Sequence, residues 1–217
     1  MTHQKRLSAP KHYPLKGKKK AYVSTIKGSR SREEAIPAVL FLREITEYAD
    51  TEKEAKEIIR DGKLLRNGEP VRDIQDGIGV LDAVTLEDAE ETYRVLIQED
   101  SLRFVSTDYE RKIAKIKDKE DRGDEYVYRL HNGENYRSEA DHGTGNTLVF
   151  GDEVEELELE EGSQVLVIGG KHAGETGEVE EVTGRGVNPD TATLKEEDQQ
   201  FDTQLENLVA VNGLEVE

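Results

Sequence analysis

Pro37–Val71, PAVLFLREITEYADTEKEAKEIIRDGKLLRNGEPV, is the stretch whose reading decides the fold of this chain. Proline is favoured at the first position of a helix, and Val39, Leu40, Leu42, Ile45 and Ala49 recur at helical spacing, so a first helix is expected from Pro37. Thr51 followed by Glu54 is a capping box, in which each side chain satisfies a backbone N–H left free at a helix start. A second helix follows, with Ala55, Ile58 and Ile59 facing inward. Gly62 suits the left-handed residue that ends a helix. Leu64 and Leu65 open a strand, Asn67-Gly68 suits a two-residue hairpin turn, and Val71 lies on the return.

The polar residues left outside carry the functional signal. Lys53, Lys56 and Arg60 stand at i, i+3 and i+7 and share one face of the second helix. Arg43 joins them from the first helix, and Lys63 and Arg66 from the hairpin. Such a face can hold a nucleic-acid backbone. An ordinary solvated face is the alternative, because Glu52, Glu54 and Glu57 are interleaved with the cations. The order of helix, capped helix and Asn-Gly hairpin resembles the small RNA-binding module named after the bacterial small-subunit ribosomal protein four. That resemblance implies RNA binding without choosing among the proteins that carry the module.

The 217 residues allow two or three small domains. No cysteine is present, which excludes a disulfide framework and a thiolate metal site. No apolar run approaches the roughly 18 residues of a membrane span, and the N-terminus lacks the apolar core of a secretory signal, so a cytoplasmic protein is expected. The net charge of −18 argues against nucleic acid until its distribution is read. Residues 1–32 hold ten Lys and Arg and no acid, whereas residues 73–217 hold 13 basic and 38 acidic residues. The acids are spread over every later segment and form no block. That pattern fits a surface adapted to molar intracellular salt better than an acidic interaction tail. At about 1 M salt the Debye length is only about 3 Å, so mutual repulsion is small.

The arm, residues 1–32, is interrupted by Pro10, Pro14, Gly17 and Gly28 and has little apolar periodicity. Disorder in isolation is expected for it. Lys5, Arg6, Lys11, Lys16, Lys18, Lys19 and Lys20 can contact phosphates, and His12 and Tyr13 (with His3) can stack on bases. A free basic tail or a targeting signal is the competing reading. The arm's HQKRLSAPKHYPL (3–15) resembles the opening of the archaeal and eukaryotic small-subunit ribosomal protein four family, which is distinct from its bacterial namesake. Tyr13 stands where tryptophan is common in that family, so an aromatic is retained.

Short strands are expected at Val80–Thr85 and Tyr93–Ile97, then in LRFVST, KIAKIKD, EYVYRLHNG, NYRSE and TLVF between Leu102 and Phe150, with KDKEDRGDE (117–125) as an exposed loop. A further strand and turn are expected in Asp152–Glu161. GSQVLVIGGKHAGETGEVEEV (162–182) is strand, glycine-rich loop, strand, and it resembles a KOW motif. The resemblance implies an SH3-like barrel with RNA contacts from Lys171 and His172 at the loop tip. FDTQLENLVAVNG (201–213) resembles the family's closing strand.

Nothing suggests catalysis. The five histidines show no HExxH or carboxylate spacing, and neither a P-loop nor GxGxxG occurs, so no catalytic residue, metal or cofactor is expected. The fold expected is α+β, mostly β. Its parts are a basic extension (1–36), a two-helix-plus-hairpin RNA-binding module (37–86), a central β domain (87–160) and a KOW barrel with closing strand (161–217). Read collinearly, the chain resembles the archaeal branch of the small-subunit family, from a salt-in halophile. The resemblance implies a structural role in translation, in a ribonucleoprotein on the cytoplasmic ribosome, without homo-oligomerisation. Its partners would be small-subunit ribosomal RNA and neighbouring ribosomal proteins. A KOW-containing transcription or RNA-processing factor is the alternative; it explains the acidic body but not the arm.

Overall fold

The computed structural model describes residues 4–15, 21–98, 101–184, 190–196 and 199–212. The described residues are mostly β, with two short helical segments (38–45 and 52–60) besides single 3-10 turns, and the chain divides into two compact units. Residues 1–95 and 101–110 form the first, and residues 96–100 and 111–217 the second. Residues 87–95 and 101–110 thus cluster with the N-terminal part of the chain, and residues 96–100 and 111–160 with the C-terminal part.

In the first unit an antiparallel sheet runs in the order Glu69–Pro70, Leu64–Arg66, Ala83–Leu86, Glu91–Gln98, Ser101–Ser106. The Asn67-Gly68 turn has φ of 54° and 79° at its two residues, the doubly left-handed geometry that matches strand twist. Helix Glu52–Arg60 starts at the expected capping box: Glu54 N–H donates to Thr51 Oγ1 at 3.2 Å, and Thr51 N–H to Glu54 Oε2 at 3.1 Å. Gly62 lies at φ 77° beyond its end. Ala55 and Ile59 are buried against Phe41, Leu42, Leu64, Val84 and Val95, and Ile58 packs at the margin.

The first helix departs from expectation. Pro37 is extended, closing a strand Ala35–Pro37 that pairs with Gly77–Gly79, and helix begins only after it. Three residues of α-helix (Ala38–Leu40) then widen into a π-turn, Phe41–Ile45, where Thr46 N–H reaches back five residues to Phe41 O at 3.0 Å. Thr46 Oγ1 donates to the same carbonyl at 3.3 Å, competing with the regular ladder. Ala49 is still buried, but after the chain has turned at Glu47, φ 54°.

The expected strand Val80–Thr85 is also broken. Leu81 is left-handed, φ 69°, and the strand begins at Ala83. Two buried guanidiniums hold this corner. Arg94 donates to Leu81 O at 2.7 Å and Tyr109 O at 2.6 Å, and burial pushes it down to about 10. Arg30 pairs with Asp82 at 2.7 Å, and Asp82 also accepts from Asn67 and from Gly79 N–H. A cation near the end of the supposedly unstructured arm therefore belongs to the buried frame. Gln4–Lys5 pairs with Tyr22–Val23, and Tyr13 enters the core, so the described part of the arm is docked.

In the second unit one antiparallel sheet runs Asn135–Ser138, Tyr126–Leu130, Lys112–Asp121, Thr147–Phe150, Val154–Leu157. The expected loop 117–125 is half strand: its first five residues extend the strand to Asp121, and the turn is confined to residues 122–125, with Gly123 at φ 89°. The charged run fits a strand because this end of the hairpin is exposed along much of its length. A second antiparallel sheet runs Gln199–Gln204, Thr191–Glu196, Thr176–Thr183, Gln164–Val167, Leu208–Ala210. Val165, Val167, Val179, Leu194 and Leu208 form its core.

Candidate nucleic-acid interface

The capped helix presents the cations expected on its outer face, and most already have protein partners. Lys56 Nζ meets Glu52 at 2.8 Å and Arg60 Nε meets Asp61 at 3.4 Å, both at exposed positions where an ion pair contributes little. Lys53 is exposed, with no ion pair among the described residues. Lys63 Nζ donates to Asp88 at 2.5 Å, a bond that raises its pKa above the ordinary lysine value. Arg43 is half-buried against Glu44 at 2.6 Å, and Arg66 donates to Gly77 O at 2.7 Å. Lys53, Lys56 and Arg60 can therefore be offered to a phosphate at small cost, whereas Arg66 supports the fold.

Lys27, from the arm, reaches Asp73 at 2.7 Å, and this bond, with one from Gln75 N–H, holds Asp73 below the usual carboxylate range. The charge of Lys56 acts on Asp73 in the same direction.

Within the described arm, Lys5 and Lys11 are exposed without ion pairs among the described residues. Arg6 donates to Leu15 O at 2.9 Å. His12 is half-buried with Nε2 3.3 Å from Ala35 O; burial lowers its pKa and that carbonyl opposes the shift. Tyr13 is 4% exposed inside the core, and stacking on a base would require its ring to leave it. Lys16, Lys18, Lys19 and Lys20 lie outside the described residues.

In the second unit, Lys171 is exposed at the tip of the glycine loop. His172 stacks on Phe201, centroids 4.3 Å apart and planes 19° from parallel, with Nδ1 2.8 Å from Glu175. Gly170 and Gly174 adopt φ of 78° and 94°, and Gly174 N–H returns to Val167 O at 2.8 Å, closing the loop. Arg32, Arg72, Arg103 and Lys117 are further exposed cations without ion pairs among the described residues. They stand singly in the sequence, with no periodicity to single them out.

Among the described residues no helix is long and apolar enough to cross a membrane, and no cluster of three metal-ligating side chains is found.

The glycine-loop segment, residues 161–195, matches the KOW motif family model. Over 97% of its length the chain is 33% identical to small ribosomal subunit protein eS4 of Methanocaldococcus jannaschii, covering 93% of that relative. The chain belongs to the eS4 family. The Haloarcula marismortui eS4 is 32% identical over 97% of this chain and 95% of the relative. Among solved structures, the 30S ribosomal protein S4e of Thermoplasma acidophilum superposes with a TM-score of 0.69, covering 82% of this chain and 95% of that one, at 19% identity. The eS4 fold is thus shared, and the KOW motif lies within its second unit.

Proposed function

We propose that this chain is an RNA clamp of the small ribosomal subunit, gripping ribosomal RNA with its arm and with the helix Glu52–Arg60. As a member of the eS4 family it is a structural constituent of that subunit, acting in translation on the cytoplasmic ribosome. Near-complete coverage by eS4 proteins is the observation that carries the reading.

Lys5, Lys11, Lys53, Lys56 and Arg60 are exposed cations that can be offered to phosphate oxygens. Lys16, Lys18, Lys19 and Lys20 extend the same chemistry along the arm. Lys171 and His172 would contact a separate RNA or protein surface from the KOW loop, in a part we read as an SH3-like barrel. Neighbouring ribosomal proteins would meet the remaining surface. We read residues 37–86 as the RNA-binding module, and the chain as a monomer without catalytic activity.

The acid excess of residues 73–217 supports an origin in a cell that accumulates salt. There, counterion release contributes less to RNA affinity, and binding rests on short hydrogen bonds, arginine forks and stacking.

Sedimentation of lysate through a density gradient in molar potassium chloride with magnesium tests the proposal. Travel with the small subunit in unit ratio to its RNA is expected. Residence at the top of the gradient, or with RNA polymerase, would instead support a transcription factor carrying a KOW motif. In the same assay, reversing Lys53, Lys56 and Arg60 together to glutamate weakens association. Reversing any single acid in 117–125 leaves it unchanged.

A further inference from the structure

A crevice of about 250 Å³ opens in the first unit beside the π-turn. That is below the roughly 300–1,000 Å³ of clefts for drug-sized ligands, so it suits one small planar group. Val39 and Leu40, 1% and 3% exposed, supply an apolar floor. Tyr22 stands at the edge, 59% exposed. Glu44 forms one wall, its carboxylate fixed by the Arg43 guanidinium at 2.6 Å, and Arg6 also lines the space.

These groups divide the labour of recognising a single nucleotide. An apolar floor and an aromatic edge accept the face of a base. Arg6 gives one N–H to Leu15 O and keeps other guanidinium donors that can receive its phosphate, while Arg43 holds Glu44. A half-buried carboxylate accepts hydrogen bonds only, so it repels a base edge made of acceptors and favours one presenting adjacent N–H donors. Guanine, with N1–H and the N2 amino group side by side, matches the two oxygens of Glu44. Uracil offers one donor flanked by acceptors. The Arg43 contact orients the carboxylate before any base arrives.

We propose that this crevice is a specificity site that captures one unstacked guanine of the bound RNA, with Tyr22 as its stacking surface and Glu44 as its reader. The inference rests on the RNA-binding reading above and deepens it, adding sequence preference to a clamp otherwise built on phosphate contacts.

The test is equilibrium binding of labelled UUGUU and UUIUU pentanucleotides to the full chain in molar potassium chloride. Inosine retains every guanine edge group except the N2 amine. The parent chain is expected to prefer UUGUU about tenfold, the discrimination of one bidentate pair. Glu44→Gln should reduce that ratio to near one, and Ser24→Phe, which fills the crevice, should weaken both pentanucleotides equally. Thermal unfolding checks that each variant is folded. If Ser24→Phe does not fold, the inosine comparison and Glu44→Gln still decide. Equal binding of the two RNAs by the parent overturns the proposal, as does binding of neither. In both cases co-sedimentation with the small subunit would leave the RNA-clamp reading standing. Photo-crosslinking of purified subunits that joins Tyr22 to a neighbouring protein, in place of a guanosine, overturns it as well.

Discussion

Lys115 Nζ donates to the main-chain carbonyl of Leu208 at 2.5 Å and to that of Leu205 at 2.6 Å. The ammonium thus ties the central strand of one sheet, Lys112–Asp121, to the closing strand of the other, Leu208–Ala210, some 90 residues later in the chain. Ala210 N–H adds a second tie to Thr147 Oγ1 at 3.0 Å. Both ties lie within one compact unit, residues 96–100 and 111–217.

That ammonium is buried, and burial, reinforced by the nearby charge of Lys117 against a smaller opposing effect of Glu206, pushes its pKa from 10.5 to about 8. Between these two values the unfolded chain binds more protons than the folded one, so this residue makes stability rise with pH from about 8 to about 10.5. Below pH 8 the folded state carries the full cost of the buried charge. Lys115→Met removes the titration. Urea unfolding across that window should show the parent gaining on the variant, by on the order of 3 kcal/mol at most. Parallel stability curves would refute the assignment.

Gly174 and Gly162 are both left-handed, at φ of 94° and 89°, but their surroundings differ. A methyl group at Gly162 meets open space, whereas one at Gly174 presses into the carbonyl oxygen of Ile97 and the backbone of Gln98. Gly162→Ala should therefore cost only the backbone strain, about 1–2 kcal/mol. Gly174→Ala should cost that and a further ~1–3 kcal/mol of overpacking. Thermal melts of the two variants, compared with the parent, measure the difference. Equal losses would mean that the KOW loop yields freely at Gly174.

Thr51→Ala is expected to destabilise the chain by about 1 kcal/mol, since Glu54 N–H loses its acceptor at the start of the helix that carries Lys53, Lys56 and Arg60. Thr51→Gly should cost only a few tenths of that unit, because glycine tolerates the cap conformation. Denaturant titration in molar salt separates the two, and an alanine variant as stable as the parent would show that the helix start is held by the Glu54 carboxylate accepting from Asp50 N–H and residue 51 N–H alone.

Local signals were legible in the sequence wherever they were self-contained. The capping box, the Gly62 helix end, the Asn67-Gly68 turn and the strand pairs of residues 101–150 depend on neighbours a few residues away. The misread places depend on distant partners. Leu81 is held left-handed by a bond from Arg94 to its carbonyl and by its own N–H donating to Val95 O, and the first helix is cut short by Thr46 bonding back into it. At the candidate interface, Lys53, Lys56 and Arg60 share a helix face by spacing alone, so periodicity finds them. Nothing in the sequence indicates that Lys63 meets Asp88, or that Tyr22, Leu40 and Glu44 line one crevice.

Tyr13 is where arm and fold compete most directly, and two substitutions separate its roles. Its ring lies in the core beside His12, and its buried hydroxyl has no hydrogen-bond partner among the described residues. Tyr13→Phe removes that unpaired hydroxyl and keeps the ring, so stability should hold or rise. Tyr13→Ala leaves a cavity and should cost about 3–5 kcal/mol. A pH series adds an independent check. Burial pushes the phenol up to about 12, so above pH 10 the unfolded parent ionises while the folded parent does not. The parent should then lose stability relative to Tyr13→Phe as pH climbs from 10 towards 12. If Tyr13→Ala instead leaves stability intact and weakens only association with the small subunit, the ring serves RNA and the docked arm is not part of the core.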